Sequence, residues 1–165
     1  MTDIAWTPAL IAAAWAIVLG GAGGFLTELG RWYHDLKKPS WQPPGWAFGP
    51  AWTIILSLSG WSLYLAWTSA PSPGDRTFIG ILFAINFALH FAWSPLFFKL
   101  KRPDWALFEN AFLWLSVLSL FVFLRDYSSL AGWLNAPYLA WVTFAACLNW
   151  KIVELNGPFG RRADA

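Results

Sequence analysis

WAFGPAWTIILSLSGWSLYLAWTSA occupies residues 46–70 and contains no Asp, Glu, Lys or Arg. A helix of roughly 20 apolar residues crosses a bilayer core, so this run alone is long enough to do so. Residues 5–27, 77–98 and 130–150 are free of charge in the same way, and residues 105–124 carry only Glu109. Membrane strands would need strict alternation of apolar and polar residues, which is absent, so helices are the reading. The chain is expected to be all-α, an integral membrane bundle of five transmembrane helices. Its approximate spans are 5–27, 46–70, 77–98, 105–124 and 130–150, with a lid loop at 28–45, all in one membrane domain over 1–165.

Composition agrees. Of the 165 residues, 58% are hydrophobic, 19% aromatic and 12% charged, and 14 are Trp. Soluble domains carry about 25% charged residues, so lipid is the expected solvent. A net charge of +2 without a basic run argues against nucleic acid. The single Cys147 excludes an intrachain disulfide and a cysteine metal cluster. The opening MTDIAW has Asp3 and no basic residue, so the first run reads as a retained helix rather than a signal peptide.

Five spans place the basic residues unevenly. Arg76 and Arg125 fall on one side; Arg31, Lys37, Lys38, Lys99, Lys101, Arg102, Lys151, Arg161 and Arg162 fall on the other. The positive-inside rule therefore puts the lid loop and the C-terminus in the cytoplasm. The expected location is a bacterial membrane rather than a mitochondrial outer membrane.

Two rows of small residues, Ala12-Ala16-Gly20-Gly24 and Gly80-Ala84-Ala88-Ala92, allow close helix approach, within the chain or at a homodimer seam. The third run carries a second stripe of Asn86, His90, Trp93 and Phe97; the fifth carries Tyr138, Trp141, Ala145 and Asn149. Polar groups at membrane depth face the interior, where they bond a neighbouring helix or line a cavity. Pro137 is expected to bend the fifth helix or free a carbonyl beside it. Trp6, Trp105 and Trp133 read as interfacial belt residues, whereas Trp52, Trp93 and Trp141 lie deeper.

The motifs of phosphate-binding loops, zinc proteases and nucleophile elbows are absent, and the spans hold no carboxylate pair. No obligatory cofactor and no metal site are expected, and the balance leans away from an enzyme. Aromatic walls with a few polar groups suit a flat apolar ligand, a tetrapyrrole or a sterol. Tetrapyrrole carboxylates would suit the rim cations Arg31, Lys37 and Lys38. Most of the lid lies in the stretch WYHDLKKPSWQPPGWAFGPAW, residues 32–52, where Pro39, Pro43 and Pro44 lower the entropy of ordering a loop. Pro50 is expected in the first turns of the second span, where its missing N–H costs least.

Three blocks carry a family resemblance: WYHDLKKPSWQPPGWAFGPAWT from Trp32, HFAWSPLFF from His90 and PYLAWVTFAACLN from Pro137. The chain resembles the TspO/MBR family, the tryptophan-rich sensory proteins related to the mitochondrial translocator protein, over roughly residues 20–156. The resemblance implies a five-helix bundle, commonly a homodimer, with a lidded pocket for protoporphyrin, haem, cholesterol or benzodiazepine-site drugs. Its pocket residues would be Tyr33, Trp41, Pro43, Trp52, Trp93, Trp141 and Ala145, with Tyr138 and Asn149 from the fifth-span motif. Some members are linked to light- and oxygen-dependent porphyrin degradation, for which Trp52 and Trp141 would be the contacts. A regulatory scaffold is the remaining reading. This chain departs from the pattern at Ile55-Leu56, where a Leu-Tyr pair is usual, and at Asn86 and His90, where Gln and Asn are usual. A histidine there could contact a porphyrin's nitrogens or iron. The sterol motif is altered to Trp150-Lys151.

Overall fold

Backbone polar groups have no water to bond in lipid, and the long apolar segments of this chain satisfy them as helices. A computed structural model describes residues 5–27 and 29–160, and no strand occurs among them. Asp3, Glu28, Arg161 and Arg162 lie outside the described residues. The helices are α1 (Trp6–Leu26), α2 (Arg31–Asp35), α3 (Gly45–Ser69), α4 (Pro73–Ser94), α5 (Pro103–Phe123), α6 (Ser129–Trp133) and α7 (Ala136–Asn156). Five of them have 21 to 25 residues, a length close to the bilayer core at 1.5 Å per residue. By length and apolarity, Trp6–Leu26, Pro73–Lys99 and Pro103–Asp126 can each cross a membrane. In α3 and α7 the apolar side chains are diluted by Ser, Gly and Trp, or by Asn, Lys151 and Glu154.

Proline and serine set the ends. Ser72 caps α4: its hydroxyl accepts from the Asp75 N–H at 3.2 Å, and the Asp75 carboxylate accepts from the Ser72 N–H at 3.1 Å. At the far end of α4, Pro95 has no N–H to continue the ladder. The chain widens into one π turn, Pro95–Lys99, closed by Leu100 N–H donating to the Pro95 carbonyl at 2.9 Å. Pro50 lies beyond the first turn of α3, not within it, so the Trp46 carbonyl loses its usual helical partner.

The fifth expected span departs most from the sequence reading. Residues 130–150 are not one helix: α6 ends at Trp133, the chain turns at Asn135, and α7 begins at Ala136. Pro137 therefore bends nothing. It sits in the first turn of α7, where its missing N–H needs no partner. Asn135, fully buried, ties the corner to α3. Its carbonyl oxygen accepts from Ser59 Oγ (2.7 Å), and its amide donates to Ser62 Oγ (2.7 Å) and the Ala131 carbonyl (3.0 Å).

Close packing fixes the other side of α3. A Cβ added at Gly60 would lie 3.1 Å from the Ala12 carbonyl and 3.3 Å from Ala16 Cβ. The α1 small-residue row thus packs, through Ala12 and Ala16, within the chain. Gly60→Val should force the two backbones apart and destabilise the fold by about 1–3 kcal/mol, read as a lowered thermal midpoint in detergent. An unchanged midpoint would mean that the two helices tolerate separation. On α4, Ala84 and Ala88 face outward. Trp6, Trp105 and Trp133 are 68%, 52% and 57% exposed on the outer surface, where belt residues belong.

Candidate ligand site

Helical spacing builds an aromatic array between α3, α4 and α7. Phe48 and Trp52 stand one turn apart on α3; Trp141 and Phe144 do so on α7. Trp52 meets the His90 ring at 4.7 Å, the Tyr138 ring at 5.9 Å and the Trp141 ring at 6.1 Å, all edge to face. Phe48 meets Trp141 at 5.7 Å, Phe144 lies 5.6 Å from Trp141, and Trp41 of the lid covers Phe144 at 5.7 Å. Edge-to-face pairs are the favoured arrangement of ring quadrupoles, so the array holds itself together. Trp93 stacks on Phe97 (5.0 Å) in a neighbouring cluster with Phe98. Two surface grooves of about 440 and 500 Å³ open on the outer faces, between α1 and α3 and between α4 and α5, and neither reaches this array.

A polar chain runs behind the rings. Tyr138, fully buried, places its hydroxyl 2.7 Å from His90 Nδ1 and 3.4 Å from Asn86 Oδ1. The Asn86 amide donates to Ser116 Oγ at 2.9 Å, and Ser116 donates to the Leu113 carbonyl at 2.7 Å. Tyr138 is thus a hub that positions His90.

Three residues expected at the site are held elsewhere. Asn149 is 1% exposed and faces α5; with its amide oriented to suit its neighbours, it donates to the Pro103 carbonyl (3.1 Å) and accepts from the Leu107 N–H (3.0 Å). Pro103 and Leu107 are four residues apart in α5, so the one amide bridges a carbonyl and an N–H of the same helical step. Lys38 is not a free rim cation. Its ammonium donates to the Tyr33, His34 and Leu36 carbonyls at the end of α2 and lies 4.3 Å from the Tyr33 ring centroid. Burial pushes its pKa down, and nearby Asp35 opposes that shift. Tyr33 packs on Phe98 at 5.5 Å and accepts from the Gln42 amide at 3.3 Å, which makes it a support of the lid. Burial raises its phenol pKa, against the Gln42 hydrogen bond. Arg31 and Lys37 remain exposed on the lid, while Pro43 and Ala145 are half-buried.

A profile of the TspO/MBR family matches residues 5–155. The chain belongs to the TspO/MBR family. As a TspO/MBR protein it is 37% identical over 150 residues to the tryptophan-rich protein TspO of Archaeoglobus fulgidus, covering 89% of this chain and 96% of that one. It is 37% identical over 147 residues to the translocator protein of Sus scrofa, covering 85% and 86%. The tryptophan-rich sensory protein of Cereibacter sphaeroides is 34% identical over 133 residues, covering 81% and 82%. Family and apolar helices together make this a membrane protein.

Several residues of this TspO/MBR chain were not singled out by sequence reading. Phe48 and Phe144 complete the ring wall, and their spacing from Trp52 and Trp141 was the available signal. Asn156 latches the lid: it accepts from the Lys37 N–H and donates to the Lys37 carbonyl, both at 2.8 Å. Glu109, the one charged residue of the expected span 105–124, is 8% exposed, and neither carboxyl oxygen has a partner. It lies between Ala106 of the Phe97–Phe98 cluster and Leu113 of the Tyr138 cluster, on one face of α5. The Trp93 indole N–H is also buried without a partner. An unpaired buried polar group costs about 1–3 kcal/mol, so Glu109→Met should raise the ligand-free thermal midpoint. A lowered midpoint would reveal a partner for the carboxyl. Among the described residues no group of three or more His, Cys, Asp or Glu could hold a metal ion.

Proposed function

We propose that this chain is a five-span membrane receptor or carrier for tetrapyrroles, protoporphyrin or haem, with sterols as a second ligand class. The observation that carries the reading is the continuous ring array from Trp41 through Phe144, Trp141 and Phe48 to Trp52, under a latched lid. Rings that bind each other edge to face can open around a flat macrocycle and exchange those contacts for stacking on it. Arg31 and Lys37, exposed on the lid, suit the ligand's carboxylates, which a sterol lacks. In this reading α3 and α7 also cross the bilayer, and the basic lid end is cytoplasmic in a bacterial membrane. A homodimer through α4 is favoured, because Ala84 and Ala88 of its small-residue row face outward, whereas Ala12 and Ala16 of α1 are used against α3.

The test is a titration of the detergent-solubilised protein with protoporphyrin, following Trp fluorescence and the Soret band, with cholesterol as a parallel ligand. Saturable quenching by protoporphyrin is expected. Quenching that grows linearly without saturation would overturn the reading. Trp52 and Trp141 lie in contact, which favours a second reading of oxygen-dependent porphyrin degradation. Faster Soret loss under light in the complex than in free porphyrin would establish it.

A further inference from the structure

The ring array is packed shut, and the lid is fastened over it at one residue. Among the described residues, the hydrogen bonds that join positions 29–44 to a helix distant in sequence are the two that Asn156 makes with Lys37, both at 2.8 Å. The other polar ties stay inside the lid. Lys38 donates to the His34 and Leu36 carbonyls, the Gln42 amide donates to the Tyr33 hydroxyl, and the Gln42 N–H donates to the Pro39 carbonyl. Pro39, Pro43 and Pro44 fix φ at three positions between them. Residues 31–44 therefore form one stiff body. Its ring contacts to the bundle are Trp32 on Phe97 (6.0 Å), Tyr33 on Phe98 (5.5 Å) and Trp41 on Phe144 (5.7 Å). Apolar burial is non-directional, so such contacts hold the lid down without fixing its position.

Asn156 supplies the position. It is the last residue of α7, the helix that carries Trp141 and Phe144. The Asn156 amide also donates to the Ile152 carbonyl at 2.8 Å, and the following Gly157 N–H donates to the Val153 carbonyl at 2.8 Å. A fixed amide that accepts from the N–H and donates to the C=O of one residue holds it as a paired strand residue is held. Both Lys37 bonds are exposed, so water replaces them when they break, whereas the buried bonds of Asn135 have no such substitute. The clasp is thus directional when formed and cheap to open. We propose that the Asn156–Lys37 clasp is the gate of the ring array. Formed, it holds Trp41 against Phe144; broken, the lid swings away as one body and uncovers Phe144 and Trp141. The clasp governs how often the array opens rather than which molecule it takes. Its bearing on uptake rests on the tetrapyrrole reading above, while the opening of the lid can be read without any ligand.

The experiment compares native protein, Asn156→Ala and Asn156→Asp, each labelled with 5-fluorotryptophan and free of ligand. Asp keeps an acceptor for the Lys37 N–H and loses the donor to its carbonyl, so it is the milder variant if Ala disturbs the end of α7. The Trp41 fluorine resonance should move toward the position of free 5-fluorotryptophan, fully in Asn156→Ala and part-way in Asn156→Asp. Trp6 and Trp133, far from the lid in sequence and exposed on the outer surface, should stay in place, which also reports that the variants fold. Protoporphyrin should then associate and dissociate about tenfold faster in Asn156→Ala, as expected for the loss of two exposed hydrogen bonds, with Kd within about threefold. A Trp41 resonance identical in all three proteins would overturn the inference. Equal shifts at Trp41, Trp6 and Trp133 would do the same, because the clasp would then hold the whole fold. A displaced Trp41 with unchanged protoporphyrin rates would remove the gate. Failure of native protein to take up protoporphyrin would remove the tetrapyrrole reading and leave the Trp41 comparison to decide whether the clasp controls the lid.

Discussion

Trp52→Ala should weaken protoporphyrin binding roughly tenfold to a hundredfold, by far more than replacement of any belt tryptophan. Trp52 is the ring on which the array converges, in contact with His90, Tyr138 and Trp141. An aromatic pair contributes about 0.5–1.5 kcal/mol beyond its buried area. Loss of about two such contacts to a bound macrocycle amounts to one or two tenfold steps in affinity. Trp52→Phe keeps a ring on the same turn and should retain most of the binding. Trp133→Ala, at a side chain 57% exposed on the outer surface, should leave binding unchanged. Equal losses in Trp52→Ala and Trp133→Ala, measured by quenching titration, would place the ligand outside the array.

Asn135→Leu should produce the largest loss of stability, about 2–3 kcal/mol, visible as a lowered midpoint of thermal unfolding in detergent. The side chain makes three hydrogen bonds, to Ser59, Ser62 and the Ala131 carbonyl. Interhelical hydrogen bonds in membranes contribute about 0.6 kcal/mol on average and up to about 1.7 each. Removal also leaves the Ser59 hydroxyl buried without its acceptor, which adds a desolvation cost. Because Asn135 sets where α7 begins, the same change should loosen Tyr138 and Trp141 and reduce near-UV circular dichroism from the indoles. A midpoint within one degree of the native protein would show that the corner is held by apolar packing alone.

The two variants separate what was legible in the sequence from what was not. The long helices could be read because charge is excluded from lipid-facing segments, and exclusion leaves uncharged runs such as 46–70. The break before α7 could not, because residues 130–150 are equally uncharged on both sides of it. Asn135 ends α6 by bonding residues of α3, a contact 73 to 76 positions away that no local period records. The lid latch is the same kind of feature: Lys37 and Asn156 are 119 positions apart. Trp52, His90 and Trp141 were found from their depth and stripe, and the structure brings the first into contact with the other two. Asn149 was drawn to the site by its stripe and the fifth-span motif, and Lys38 by its charge. Backbone groups claim them instead, an amide for the first turn of α5 and an ammonium for the end of α2. Glu109 was passed over because the spans hold no second carboxylate to pair with it. Here the face shared with Ala106 and Leu113 turns it inward.

The central claim is that a tetrapyrrole lies among the interior rings rather than on the lipid-facing surface. The direct measurement is fluorine NMR of protein labelled with 5-fluorotryptophan, with single Trp→Phe variants to assign the resonances. A bound macrocycle has a strong ring current that shifts only nearby nuclei. Saturating protoporphyrin should move the Trp41, Trp52 and Trp141 resonances and leave Trp6, Trp105 and Trp133 in place. Shifts confined to Trp6, Trp105 and Trp133 would contradict the account.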